Sequence, residues 1–206
     1  MTKETGPLIH TVGHSTRTSD EFLSLLVENS INVIADVRSS PYSSRLSQFN
    51  REVLAETLRK KEIRYVFMGD QLGGRATSSG LTNSDGRVSY TKMSETTSFR
   101  EGISRLIDGA ARMRIALLCS ERDPLNCHRG LLVARSLATE GIEIRHILDT
   151  DMTETQAQYE TRLLDTVNLP PELTRNEEEI LADAYAKQAA RVAYKEPARH
   201  TEDSET

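Results

Sequence analysis

Five short runs rich in apolar and β-branched residues recur along the chain: residues 8–12 (LIHTV), 32–37 (NVIADV), 64–68 (RYVFM), 114–119 (RIALLC) and 143–148 (EIRHIL). The segments between them span about 20 residues or more, too long for hairpin turns and long enough for crossover helices. Strands alternating with helices define βαβ units. The expected class is therefore α/β, a mostly parallel open sheet of about five strands flanked by helices, with a C-terminal helical tail. Residues 32–37 are apolar almost throughout, as suits a strand covered on both faces.

The linking segments carry helix signals. Thr18 and Glu21 have capping-box spacing, followed by Phe22, Leu25 and Leu26 at helical intervals. Asn50 is placed to cap a helix through Lys61, and Ser98 with Glu101 forms a second capping-box pattern. Asn126 is placed to cap a helix from Cys127 to Glu140, with Gly141 as its left-handed stop. Residues 69–90 are rich in Gly, Ser and Asn and show no periodicity, which marks a functional or disordered loop. In the tail, helical patterns cover residues 155–167 and 176–194, separated by Leu169-Pro170-Pro171, and residues 196–206 read as disordered.

The net charge of −5 is unevenly spread. Residues 149–206 hold 14 of the 31 acidic side chains and 6 of the 26 basic ones, a balance of −8. The remaining 148 residues balance at +3. Two units follow: an α/β domain over 1–148 and an acidic helical tail over 149–206, the tail being the candidate surface for oligomer contacts. No apolar run approaches the ~18 residues of a spanning helix, and residues 1–7 lack the apolar segment of a signal peptide. No membrane partner is expected. With 2 cysteines there is no disulfide framework, and a reducing cytoplasm is the expected setting.

In open α/β sheets ligands bind at the carboxyl ends of the strands, and reactive side chains gather there. The first strand runs into Gly13-His14-Ser15, the second into Asp36-Val37-Arg38, and the third leads to Leu72-Gly73-Gly74-Arg75. The fourth ends in Cys119-Ser120-Glu121, followed by Cys127-His128-Arg129, and the fifth carries His146. Cys127 beside His128, Arg129 and a helix start fits a thiolate. Cys119 fits a nucleophile, a resolving thiol or a ligand. Both cysteines equally fit buried small hydrophobes, and Asp36 with Arg38 fits either a buried ion pair or an anion contact. A thiol phosphatase loop is not matched, because Leu125 stands six residues after Cys119 where such a loop needs Arg. Cys119, Glu121, Cys127, His128 and His14 are ligand types for a metal, but the spacing is no zinc-ribbon or finger pattern, so no metal ligands are assigned.

These motifs, with Pro41 and Phe49-Asn50, resemble the "domain of unknown function 488" family over about residues 8–148. The resemblance implies a shared site and no known reaction. A weaker similarity is to the rhodanese layout, with one strand ending in Asp-x-Arg and a later one in Cys before a basic helix. In this chain the loop after Cys119 is longer and the basic residue arrives later, so the similarity is one of fold.

The leading expectation is an enzyme acting on a small anionic or nucleotide-like ligand. Cys119, Glu121, Cys127, His128 and His14 would carry the chemistry. Ser15, Asp36, Arg38, Gly73, Gly74, Arg75 and Arg129 would hold the ligand. No cofactor is named by the sequence. Two alternatives accompany it. One is a nucleic-acid module, since residues 36–75 hold eight basic and five acidic side chains, with Tyr42 and Phe49 available to stack bases. The other is a metal-binding or metal-stabilised protein.

Overall fold

The computed structural model describes residues 6–76, 78, 80–169 and 175–195. Strands β1 (Leu8–Gly13), β2 (Val33–Asp36), β3 (Arg64–Phe67), β4 (Ile115–Cys119) and β5 (Glu143–Asp149) form a parallel sheet, and β6 (Met152–Thr155) adds an antiparallel edge. The strand order is β3-β2-β4-β1-β5-β6. The mostly parallel α/β sheet is as expected, with one strand more. That sixth strand escapes a periodicity search because it is four residues long, half exposed and paired on one side only.

The order of the strands creates the site. From β1 the chain moves through α1 (Ser19–Glu28) to β2, and through α2 (Arg51–Arg59) to β3, always toward one edge. It then reverses, reaching β4 through α5 (Thr97–Ala110) and β5 through a helix over residues 129–139. Crossovers are right-handed, so reversing direction moves the helices to the other face. Phe22, Leu25, Leu26, Leu54 and Leu58 accordingly pack on Val12, Ile34, Ala116 and Leu118. Phe99, Ile103, Leu106, Leu131 and Leu137 pack on Ile9, Val33, Ala35, Ile115 and Leu117. β4 lies between β1 and β2, whose connections leave toward the opposite face from its own. A crevice opens at its carboxyl end, where ligands bind in sheets of this kind.

Residues beyond 148 continue the same sheet and core. β6 pairs with β5, and Tyr159, Leu163 and Val167 of α7 (Gln156–Val167) join the cluster beneath α5, as do Ala184 and Tyr185 of α8 (Glu177–Val192). Both helices carry capping boxes, on Thr155 with Gln158 and on Asn176 with Glu179. The Pro170-Pro171 separator and residues 196–206 lie outside the described residues. Among the described residues no helix is long and apolar enough to cross a membrane.

Several local expectations are corrected. α5 is capped by Thr96, whose hydroxyl accepts from the Phe99 N–H, rather than by Ser98, which lies inside the first turn. Asn50 precedes α2, but its side chain accepts from the Ser43 N–H and caps nothing. The segment after residue 68 opens with a single helical turn, α3 (Gly69–Leu72), runs irregularly past an isolated Thr82–Val88 bridge, and ends in α4 (Tyr90–Ser94). The largest change lies around Cys127. Asp123, not Asn126, is the capping residue, and it caps a short 3-10 turn (Pro124–Asn126). Cys127 is extended (φ −148°, ψ 142°), and the helix begins after His128 as a π-helical stretch (Arg129–Ala134) before α6 (Arg135–Thr139). Single π turns of this kind occur often at functional sites.

Candidate functional site

Cys119 closes β4, in register beside Gly13 of β1. Side chains alternate along a strand, so Cys119 shares the face of Ile115 and Leu117, toward the helix that follows. The chain turns through residues 120–126 and returns in extended form to Cys127. That return brings three groups together: Cys119 Sγ lies 3.7 Å and Cys127 Sγ 3.9 Å from His128 Nδ1. Cys119 Sγ also donates to Glu121 Oε2 at 3.0 Å. All three of the clustered residues are buried.

The tautomer of His128 follows from its other contact. Its Nε2 is 2.9 Å from the Val37 carbonyl oxygen, which can only accept, so Nε2 carries a hydrogen. In the neutral ring Nδ1 is then the lone-pair atom that faces both sulfurs. The ring packs into space that glycine leaves free, since a Cβ on Gly74 would lie 2.7 Å from it. Burial opposes charge throughout this cluster, yet the outcome differs between the two sulfurs. Burial and the neighbouring Cys127 push the Cys119 thiol up. Cys127 is driven down despite its burial, by the Cys119 hydrogen bond, the charge of Arg129 and His128. The Arg129 backbone N–H points at its sulfur from 3.4 Å. Glu121 is raised by burial and by Cys127, and His128 is raised against its burial by Cys127. The cluster therefore favours a Cys127 thiolate, a Cys119 thiol and proton exchange among their neighbours.

Arg129 is fully buried. It donates to the Glu121 carbonyl at 2.5 Å, the Arg122 carbonyl at 2.9 Å and Thr11 Oγ1 at 3.3 Å. The bare Cα of Gly13 permits this, since a Cβ there would sit 1.8 Å from the Glu121 carbonyl oxygen. Arg162 of α7 ties the other side of the same loop, reaching Asp123 at 2.8 and 3.0 Å.

The opposite wall comes from β1 and β2. Arg38 pairs with Asp36 at 2.9 and 2.6 Å, donates to the Phe49 carbonyl at 3.0 Å and reaches His14 Nε2 at 3.3 Å. His14 Nδ1 is 2.8 Å from the Ser15 carbonyl, so both of its ring nitrogens are engaged, and burial pushes it down to about 4. His14 thus sits between the Ser15 carbonyl and Arg38. Phe49 is buried and stacks on His14 at 4.3 Å, so it offers no face to a nucleic-acid base. His146 bonds Thr11 and Gln156 inside the core.

Between the walls lies a cleft of about 220 Å³ lined by Arg38, Gly74, Arg75, Cys119, Glu121, Cys127 and His128 from the expected set. His14, Ser15, Asp36, Gly73 and Arg129 do not line it. Tyr90, Asn126, Ser120, Val192 and Tyr194 also line it. The Arg75 guanidinium lies 4.7 Å over the Tyr194 ring. No local pattern marks these additions: Tyr90 closes an aperiodic loop, and Tyr194 arrives from the far end of the chain. A larger groove of about 960 Å³ between α5 and α8 is lined without a single Cys or His. Of these two, the smaller cleft is the one lined by both cysteines and His128.

A family model described as "Domain of unknown function DUF488" matches residues 18–136, more than half of the chain. The chain belongs to that family. The matched span runs from the cap of α1 into α6 and contains Asp36, Arg38, Gly73, Gly74, Arg75, Cys119, Glu121, Cys127, His128 and Arg129. His14, Ser15 and His146 fall outside it. No curated protein and no solved structure matches the chain.

Proposed function

We propose that the cleft is the active site of a thiolate-dependent enzyme whose ligand is a small anion or the anionic end of a larger molecule. The observation that carries this reading is the convergence of two sulfurs, an imidazole and two arginines on one cleft of about 220 Å³. That volume lies below the ~300–1,000 Å³ of ordinary ligand pockets, which favours a phosphate- or carboxylate-sized group over a whole nucleotide. Cys127 is the nucleophile in this reading, Glu121 and His128 are its proton-transfer partners, and Arg75 with the outer face of Arg38 holds the charge.

Titration with inorganic phosphate, followed by amide chemical shifts, tests it. Perturbations should centre on residues lining the cleft, and Arg75→Ala should weaken binding about tenfold, the loss of one charge-assisted contact. Shifts spread over the surface, or an unchanged affinity in Arg75→Ala, would overturn the anion reading. For the thiolate, iodoacetamide should alkylate Cys127 before Cys119, and phosphate should slow that reaction. Equal rates at the two sulfurs would remove Cys127 from its role.

A further inference from the structure

We propose that Cys119, Cys127 and His128 form a site for a soft divalent cation of the zinc class. Two thiolates and one imidazole are the donors such ions prefer. Their ligand atoms lie within 4.8 Å of one another, all buried. The spacing can be compared with what a tetrahedral ion requires. Metal–nitrogen and metal–sulfur bonds of about 2.05 and 2.3 Å give a tetrahedral N···S edge of about 3.6 Å. The two N···S separations are 3.7 and 3.9 Å. The imidazole therefore stands almost where a tetrahedral centre would hold it against each sulfur, while the two sulfurs, within 4.8 Å of one another, need to close by up to about 1 Å to reach the S···S edge of about 3.8 Å.

The surroundings support the same assignment. A ligating histidine commonly donates its second ring N–H to a backbone carbonyl, which fixes the ring and its tautomer. His128 does so to Val37 O at 2.9 Å, leaving Nδ1 turned toward the sulfurs. Gly74 leaves room for the ring at this place, and the Arg129 N–H supports Cys127 Sγ. Binding releases the Cys119 proton, and two thiolates then balance the dication in a buried place, which an unpaired charge could not occupy. Three protein ligands leave the fourth corner to the cleft, the arrangement of an exchangeable rather than a purely structural centre. A cation there would block Cys127 as a nucleophile while presenting its open corner to anions beside Arg75. The inference stands on the geometry of three side chains and does not depend on the anion reading.

Cobalt(II) titration of the full chain, kept reduced, tests the site directly. The expected result is saturation at one equivalent, with a near-ultraviolet thiolate-to-metal charge-transfer band and intense visible bands of tetrahedral cobalt. Zinc should displace it stoichiometrically. Cys127→Ser, Cys119→Ser and His128→Gln should each lose more than the ~100-fold typical of outer-shell partners, with circular dichroism confirming that the variants fold. Absence of the charge-transfer band in the unaltered protein overturns the proposal without recourse to any variant. So does a saturating band that survives in both cysteine variants. Phosphate binding that persists while cobalt fails would refute the metal site and leave the anion reading intact. The reverse result would separate them the other way.

Discussion

The two walls of the cleft are built on opposite principles. On the wall formed by β1 and β2, Asp36, Arg38 and His14 satisfy one another, and Tyr65 adds a 2.6 Å bond to Asp36. On the wall that follows β4, Cys119, Glu121, Cys127 and His128 crowd their labile protons into a space where burial disfavours every charge. The first wall spends its hydrogen bonds on holding shape. The second keeps its sulfurs and imidazole at the cleft and leaves the holding to Arg129 and Arg162, which bond the loop behind it. Arginines of one sequence motif set thus take different places: Arg129 is engaged with two carbonyls and a hydroxyl, while Arg75 lines the cleft.

The contrast is breakable. Asp36→Ala should cost the most, about 3–5 kcal/mol, because it leaves the Arg38 charge buried and unpaired; urea denaturation measures it. A cost no larger than that of Cys119→Ser would erase the distinction between a structural and a reactive wall. Gly74→Ala should come next, at about 1–3 kcal/mol, since its Cβ meets the His128 ring at 2.7 Å. The same variant should shift the His128 ring resonances, and unchanged resonances would mean that the ring is not held from that side.

Acid provides a finer probe. Burial holds His10 and His14 at about 4 and His146 at about 3, below the ~6.5 of an unfolded chain. Between these values the unfolded chain binds more protons, so stability is fully present above pH ~6.5 and declines as pH falls toward ~4. Each histidine contributes at most about 1.4 kcal/mol per pH unit in that window. Ring resonances of all three should stay unprotonated at pH 5.5 in the folded protein; titration of His14 near its unfolded value would show that the first wall is open. The smallest effect is expected for Glu121→Gln, less than about 1 kcal/mol, because the amide oxygen can still accept from Cys119. A large loss there would move Glu121 from the reactive set to the structural one.

Much of this molecule is legible in its sequence. Strand runs such as IALLC identify themselves because a strand covered on both faces must be apolar throughout. Thr18 with Glu21 marks the start of α1 because a cap is a contact between near neighbours. The collection of reactive residues at strand ends follows from the parallel arrangement, which puts all carboxyl ends at one edge. Those are local or topological facts, and sequence by itself determined them. Whether Arg129 faces ligand or backbone, whether His14 is free or locked, and that Tyr90 and Tyr194 complete the cleft were decided only by tertiary structure. The physical reason is range. A capping bond spans three residues, whereas the contact between His128 and Val37 spans 91, and that between Arg129 and Thr11 spans 118. No periodicity or spacing encodes which of several competing partners a buried donor takes; the packing of the whole sheet and its two helical layers makes that choice.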